Sequence, residues 1–383
     1  MNLNKEIWKE ANFGHIVENI NVHNKEPLSN GINRFISLEH IDSGILQLLR
    51  WGDLNTESTT FSKVFKSGDI LFGKRRSYLK KVAIADFDGI CSSDILVFRS
   101  KNGFPPGLIP FIVASDRFIG YAVSTSAGSL SPRTKWKDIS NFKFKLPPKD
   151  DQEKILSLFL TLEKQIEQTE TQEKNLLKTK RQLLWELFSE KQKFGTYLNS
   201  ENYQTVQFGK LAEHISKRVE PAKTDLKIYV GLEHLDPDNL IIERQGSSAD
   251  VKGTKLLIWK GDIIFGKRRA YQRKVAVSHF EGICSAHSMV LRAKKKAIKK
   301  EFLPYFMQSD VFMDRSVQIS EGSLSPTIKW KILEKQEFAI PKMEFQEKLT
   351  DLFKHFDKLI YELREQKETL KKLKQKLLDE ILG

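Results

Sequence analysis

The chain has 383 residues, which is enough for two domains of ordinary size, each with its own hydrophobic core. Its formal net charge of +14 at pH 7 favours a polyanionic partner such as nucleic acid. No apolar run is long enough to span a bilayer, and the N-terminal residues lack the apolar stretch of a signal peptide. These patterns exclude a membrane-spanning or exported protein and predict a cytoplasmic one.

Most of the sequence occurs twice. GDILFGKRRSY (68–78) and GDIIFGKRRAY (261–271) are identical at nine of eleven positions. Three further blocks repeat at nearly the same offset: LEHID (38–42) with LEHLD (232–236), VAIADFDGICS (82–92) with VAVSHFEGICS (275–285), and GSLSP (128–132) with GSLSP (322–326). An offset near 194 residues is too long for a solenoid repeat, so the sequence indicates a duplicated domain.

Each copy begins with a mixed α/β pattern. Short apolar runs between Gly, Asp and Ser predict strands, and Asp88-Gly89 predicts a hairpin turn, repeated at Glu281-Gly282. Residues 114–123 and their counterparts 308–317 predict a short helix between sheet elements. The predicted fold class is α+β.

A long polar helix is predicted after each mixed domain. From Asp150 to about Glu190 the sequence has neither Gly nor Pro, and the same holds from Lys342 to Leu382. The sequence therefore divides into a first mixed domain, a first long helix, a linker with the second mixed domain, and a second long helix: residues 1–149, 150–190, 191–343 and 344–383.

The apolar residues of both helices follow the alternating three-and-four spacing of a coiled-coil seam. The seam comprises Phe159, Leu162, Ile166, Glu173, Leu176, Leu183 and Leu187, and Phe353, Phe356, Ile360, Lys367, Leu370, Leu377 and Ile381. Each helix has a single such stripe, so we expect the two to pack on each other. Chain direction then makes them antiparallel, with an approximate two-fold axis that places Glu173 beside Lys367.

A basic cluster in each copy is the best candidate for contact with DNA. Lys-Arg-Arg and a Tyr follow a Gly that ends a predicted strand, and arginine can read guanine while lysine and tyrosine hold phosphates. The GSLSP segment and the Lys after it offer hydroxyl and N–H groups to phosphate. The candidates are Lys74, Arg75, Arg76, Tyr78, Ser129, Ser131 and Lys135, and Lys267, Arg268, Arg269, Tyr271, Ser323, Ser325 and Lys329.

No catalytic or metal site is predicted. The spacing Gly68-x4-Gly73-Lys74 imitates a phosphate-binding loop, but Arg75 stands where that loop needs a hydroxyl residue. The eight His and two Cys lack metal-ligand spacing, and Cys91, Cys284, His40 and His234 are best explained as structural residues.

Together these blocks resemble the specificity subunit of type I restriction–modification systems. The resemblance covers nearly the whole chain and includes the Gln-Glu-Lys after each proline that precedes a long helix. It implies that two target-recognition domains each read half of a bipartite DNA site. It further implies that the helices dock two modification subunits, beside restriction and translocase subunits.

In such systems catalysis belongs to the partner chains, which use S-adenosylmethionine, ATP and Mg²⁺, and this chain is expected to be non-catalytic and to need no cofactor. Two alternatives stay open: the specificity subunit of a type IIB-like restriction system, and a basic coiled-coil scaffold that binds nucleic acid non-specifically.

Overall fold

The computed structural model describes residues 4–101, 104–189, 191 and 193–382. These residues form two compact units. Unit 1 lies within residues 1–169 and 365–383, and unit 2 within residues 170–364. Each unit therefore combines one copy of the duplicated domain with a segment of each long helix.

Unit 1 is a mixed α/β domain. Its strands are β1 (Lys9–Asn12), β2 (Val17–Ile20), β3 (Arg34–Ile36), β4 (Gly52–Asp53), β5 (Lys63–Phe65), β6 (Ile70–Gly73), β7 (Val82–Ile84), β8 (Gly89–Cys91), β9 (Ile95–Ser100) and β10 (Lys143–Leu146). Its helices are α1 (Phe13–Ile16), α2 (Ile109–Ala114), α3 (Asp116–Ser124), α4 (Trp136–Ile139) and the first part of α5 (Lys149–Phe188).

Unit 1 contains two four-stranded sheets. One is antiparallel, in the order β2-β9-β6-β7, and the other is mixed, in the order β4-β3-β8-β5, while β1 and β10 form a separate ribbon. Ile70 and Phe72 of β6 pack into a phenylalanine-rich core with the helices, whereas Leu71 between them packs into a second core that includes Ile36 and Cys91 of the mixed sheet. Because both faces of β6 are covered, its sequence is continuously apolar rather than alternating.

Unit 2 repeats this architecture. Its strands are β11 (Tyr203–Gln207), β12 (Ala212–Ile215), β13 (Arg218–Val219), β14 (Ile228–Val230), β15 (Gly246–Ser247), β16 (Lys255–Ile258), β17 (Ile263–Gly266), β18 (Val275–Val277), β19 (Gly282–Cys284), β20 (Ser288–Ala293) and β21 (Glu337–Pro341). Its helices are α6 (Phe208–Leu211), α7 (Leu303–Gln308), α8 (Asp310–Gln318), α9 (Trp330–Leu333) and α10 (Met343–Ile381), which continues into unit 1. The sheet orders are β12-β20-β17-β18 and β13-β16-β19-β14-β15, with the ribbon β11-β21. The predicted α+β class and the duplication are confirmed.

The hairpins predicted at Asp88-Gly89 and Glu281-Gly282 are wrong. The strands that flank each turn, β7 and β8 in unit 1 and β18 and β19 in unit 2, belong to different sheets, so the chain crosses from one sheet to the other there. Gly89 begins β8, and a Cβ atom at this position would lie 2.5 Å from the ring of Phe65 and 2.9 Å from the carbonyl oxygen of Arg34. The glycine therefore permits close packing between strands, as Gly282 does where a Cβ would lie 2.8 Å from the carbonyl of Ile228.

The long helices run antiparallel to each other in unit 2. Lys180 Nζ lies 2.5 Å from Asp357 Oδ1, and Arg364 Nε lies 2.7 Å from Glu173 Oε1. Glu173 precedes Lys180 by seven residues in α5, whereas its partner Arg364 follows Asp357 by seven residues in α10, so the two helices run in opposite directions. In unit 1 the counterpart contact joins Lys374 Nζ to Glu163 Oε1 at 2.8 Å.

All fourteen predicted seam residues are buried or half-buried. Phe159 and Leu162 join the core of unit 1 together with Ile381, and Leu187 and Phe353 join that of unit 2. The pairing of Glu173 with Lys367 stays a prediction. Among the described residues, no single helix is long and apolar enough to cross a membrane, although the bent pair Pro106–Ala114 and Asp116–Ser124 meets the length and composition criteria.

Candidate nucleic-acid interface

The basic cluster of unit 1 forms a tight turn directly after β6. Lys74 follows Gly73, and Arg76 and Lys80 adopt left-handed backbone conformations, with φ of 53° and 51°. Their counterparts Arg269 and Arg273 have φ of 57° and 56°. Left-handed φ values are unfavourable for residues other than glycine, so the same costly conformation in both copies indicates a turn held by its surroundings.

The GSLSP segment forms a loop closed by its own backbone. The N–H groups of Ala127 and Arg133 each donate to the other residue's carbonyl oxygen at 3.0 Å, and Gly128 takes a φ of +109° that favours glycine. In unit 2, Glu321 and Thr327 exchange the same two hydrogen bonds at 3.1 and 2.9 Å. The loop therefore has the same closure in both copies.

Turn and loop are bonded into one surface. The Arg76 N–H donates to the Pro132 carbonyl oxygen at 2.8 Å, and Arg75 Nη2 donates to Ser131 Oγ at 3.0 Å. In unit 2 the corresponding bonds, from Arg269 to Pro326 and from Arg268 to Ser325, have the same lengths. We call this the turn–loop surface; it comprises residues 74–80 and 127–135 in unit 1, and 267–273 and 321–329 in unit 2.

All predicted DNA-binding residues lie in these surfaces, but their exposure differs. Arg76, Tyr78, Ser129 and Lys135 are exposed, as are Arg269, Tyr271, Ser323 and Lys329. The half-buried ones are Lys74, Arg75, Ser131, Lys267, Arg268 and Ser325. The structure therefore separates an exposed set from a set that also holds the turn in place. The role of each residue toward DNA stays a prediction.

The two surfaces differ in the residue that faces the first arginine. Asp94 Oδ1 accepts a hydrogen bond from Arg133 Nε at 2.7 Å, and Asp94 Oδ2 lies 3.5 Å from Arg75 Nη1. The hydrogen bond from Arg133, opposed by burial but reinforced by the nearby cations, lowers the pKa of Asp94. Unit 1 therefore keeps a carboxylate within its cationic surface.

His287 occupies the equivalent place in unit 2, with its Nε2 3.2 Å from Arg268 Nη1, and Thr327 replaces Arg133. Burial, followed by the charges of Arg268 and Lys267, lowers the pKa of His287. Burial, followed by the charge of Arg218, also lowers the pKa of Lys267. The two copies thus share a scaffold but differ in local charge.

Sequence reasoning missed two features of these surfaces. Leu130 and Leu324, at the centre of the loops, are 88% and 89% exposed. Asp94 and His287 lie outside the repeated basic block, but the change from one to the other was visible in the aligned copies. An apolar residue kept between serines in both copies was the available signal for the leucines.

The recurrent His and Cys residues have structural roles. The Ser37 N–H donates to His40 Nδ1 at 3.2 Å, and the Gly231 N–H donates to His234 Nδ1 at 3.0 Å. Cys91 and Cys284 are buried free thiols, and burial raises the pKa of each to about 12. Within the described ranges, no group of three or more His, Cys, Asp or Glu side chains is arranged to hold a metal ion.

Comparison with known proteins agrees with this arrangement. The profile of the type I restriction modification DNA specificity domain family matches residues 18–179 and 232–374. The chain belongs to this family. The two matched segments fall on the two copies of the repeat and include both turn–loop surfaces.

Two specificity subunits of type I restriction enzymes are similar in sequence. The EcoDI subunit of Escherichia coli is 29% identical over 150 residues, which cover 37% of this chain and 33% of that protein. The MjaVIII subunit of Methanocaldococcus jannaschii is 22% identical over 342 residues, or 82% of this chain and 76% of that protein. The first match therefore spans only about a third of its relative's length.

Solved structures show the same fold. A chain from a study of complex assembly and conformational transition of the type I R-M system has a TM-score of 0.59 at 20% identity, with 97% of this chain and 96% of that chain covered. The S subunit of the type I restriction–modification system from M. genitalium has a TM-score of 0.55 at 14% identity, covering 100% and 98%. At these identities the likeness concerns the fold alone.

Proposed function

We propose that this chain is the DNA-specificity subunit of a type I restriction–modification complex. The observation that carries the proposal is the duplicated turn–loop surface. In a family of DNA specificity domains, each unit of this chain presents the same exposed pair of Arg and Tyr on a turn that is hydrogen-bonded to the same loop. Two such surfaces on one chain suit a DNA target read in two parts.

The exposed residues fit the chemistry of duplex DNA. The guanidinium of Arg76 or Arg269 can donate two hydrogen bonds to guanine or to a phosphate. Tyr78 and Tyr271 are 53% and 54% exposed, so their hydroxyl groups are accessible to backbone phosphates. The half-buried Arg75 and Arg268 position the loop through Ser131 and Ser325 and add positive potential beneath it.

The partners follow from the proposed role. Two modification subunits dock on the long helices, and restriction and translocase subunits complete the complex in the cytoplasm. Methyl transfer with S-adenosylmethionine, and translocation and cleavage with ATP and Mg²⁺, take place in those chains, while this chain supplies sequence recognition without a cofactor of its own.

A selection experiment tests the proposal. The full chain, co-purified with its modification subunits, is used to enrich duplexes from a random pool, and affinity for the enriched duplex is compared with that for scrambled duplex and single-stranded RNA. We expect preferential binding to a two-part duplex sequence. The double substitution Arg75→Ala and Arg76→Ala should abolish recognition of one part only. Arg50→Ala is the matched control, because Arg50 pairs with Asp42 outside the turn–loop surface.

Equal binding to scrambled duplex or RNA would instead favour a non-specific scaffold. Unchanged preference at both parts after the double substitution would contradict the assigned surface.

A further inference from the structure

The apex of each turn–loop surface is an apolar side chain without contact to a core. Leu130 and Leu324 are the most exposed large apolar residues in the described parts of the chain, at 88% and 89%. Each is the middle residue of its five-residue GSLSP loop. Exposure of a leucine to water is unfavourable, although single exposed leucines are common on protein surfaces. The same exposure at the same apex in both copies indicates that the leucine has a role there.

The loop that carries the leucine is stiff. Its backbone closes on itself between Ala127 and Arg133, and it is bonded to the turn through Pro132 and Ser131. Arg76 Nη2 also donates to the carbonyl oxygen of Leu130 itself, at 3.4 Å. The apex is therefore ordered before any partner binds, and inserting it costs little further conformational entropy.

The surroundings identify the partner. An apolar docking site for a protein needs a contiguous patch, whereas Leu130 stands between Ser129 and Ser131 and beside an exposed arginine. Hydroxyl groups and cations around one projecting apolar side chain suit a nucleic-acid duplex, whose charged backbone surrounds an apolar stack of bases. Proteins that deform DNA insert apolar side chains of this kind between base pairs.

We propose that Leu130 and Leu324 act as wedges, each inserting into the base stack of the DNA part bound by its own unit, while the adjacent arginine and serines hold the phosphates. This inference rests on the proposed DNA recognition. It deepens that function because a wedge makes recognition sensitive to how easily a base step unstacks, in addition to direct contacts with base edges.

Fluorescence of 2-aminopurine tests the wedge, because this adenine analogue becomes brighter when it is unstacked. Duplexes enriched by the wild-type complex are made with 2-aminopurine at successive adenine positions of both parts. We expect binding of the wild type to brighten at least one position in each part besides the methylated adenine, which the modification subunit itself takes out of the stack. Leu130→Ala should remove the signal in one part, Leu324→Ala the signal in the other, and Leu130→Met should retain it.

Leu49→Ala is the matched control, because Leu49 is an exposed leucine outside the surface, at 56%. Affinity of Leu130→Ala should fall by no more than about tenfold, since the variant loses apolar contact but no longer has to unstack bases. The salt dependence should be unchanged, because no cation is removed. Circular dichroism spectra of the variants should match that of the wild type, because a side chain that is 88% exposed contributes little to folding.

The outcomes separate the wedge from the proposed function. If the wild type binds the duplex but no position besides the methylated adenine brightens, or if the signal persists in both alanine variants, the wedge is wrong and DNA recognition stands. Leu130→Ala could instead lose affinity only for duplexes that carry a particular thymine methyl group, with no change in fluorescence. Leu130 would then contact a base edge rather than enter the stack, and the wedge is likewise wrong. If the wild-type complex prefers no duplex, the proposed function itself fails.

Discussion

Arg75 and Arg76 are neighbours in sequence but differ in what they can do. Arg75 is half-buried and donates to Ser131 at 3.0 Å, whereas Arg76 is exposed and its side chain reaches the loop through a longer bond, from Nη2 to the Leu130 carbonyl oxygen at 3.4 Å. The same division holds for Arg268 and Arg269. From the sequence, all four arginines were predicted to contact DNA equally. Consecutive arginines do not indicate which side chain will form hydrogen bonds within the protein and which will stay exposed.

The first prediction concerns this division. Arg76→Ala should weaken duplex binding and reduce the magnitude of the salt slope by about one, because an exposed cation is removed. The loop loses the long bond to the Leu130 carbonyl oxygen but keeps the bond from the backbone N–H of residue 76 to Pro132. Arg75→Ala should in addition lower thermal stability, since Ser131 loses its donor. The measurement is duplex affinity over a salt series, with thermal unfolding alongside. Equal stability losses in both variants would contradict the division.

The second prediction concerns pH and His287. Its pKa is lowered in the folded chain, so near and below the ordinary value of 6.5 the unfolded chain binds the proton more readily. Stability from this group is therefore fully present above pH 6.5 and falls as the pH drops toward the folded pKa. Asp94, whose pKa is lowered from 3.8, stays ionised across this window.

Melting temperatures measured from about pH 7.5 to about pH 5 test this contribution. Wild type should lose stability faster than His287→Gln, while the exposed-histidine control His279→Gln should follow wild type. If the melting temperatures of wild type and His287→Gln changed in parallel with pH, the contribution of His287 to the pH dependence of stability would be refuted.

At the scale of elements, the three-and-four spacing predicted which faces of the long helices are covered, because burial of an apolar stripe is a local property of helix geometry. The connections between strands were harder to predict from the sequence. Asp88-Gly89 has the composition of a hairpin turn, but Gly89 instead begins a strand of the other sheet, where it packs closely against Phe65. The polar contacts of the seam were also not foreseen. Lys180 donates to Gln308 at 2.9 Å as well as to Asp357.

The third prediction uses this buried contact. Lys180→Met should lower the free energy of unfolding by roughly 2–4 kcal/mol, because the side chain of Lys180 is only 4% exposed and Asp357 would lose its cation. Lys374→Met, at the equivalent position of α10, should cost roughly 1 kcal/mol, since its partner Glu163 is 31% exposed. Urea unfolding of the full chain measures both. Equal losses would show that burial does not distinguish the two pairs.

At the scale of the whole molecule, charge and duplication were the parts of the function most readable from sequence. A net charge of +14 indicates a polyanion, and two copies of one basic surface indicate a target with two parts. Exposure of the leucine apices and the position of Asp94 and His287 beside the first arginine of each turn needed the fold, because both depend on loops that are far apart in sequence.

The fourth prediction follows from the net charge. If about six phosphates are contacted, the logarithm of the duplex affinity should fall against the logarithm of the salt concentration with a slope of roughly −5. A binding titration over a salt series gives this slope directly. A slope near zero would contradict an electrostatic DNA interface.

The central claim is that this chain chooses the DNA sequence its complex modifies. Methylome sequencing of the host, with the gene, without it, and with Arg75→Ala plus Arg76→Ala, tests the claim most directly. We predict a two-part methylated motif that disappears without the gene and loses specificity in one part only in the double variant. A methylome unchanged by loss of the gene would contradict the account.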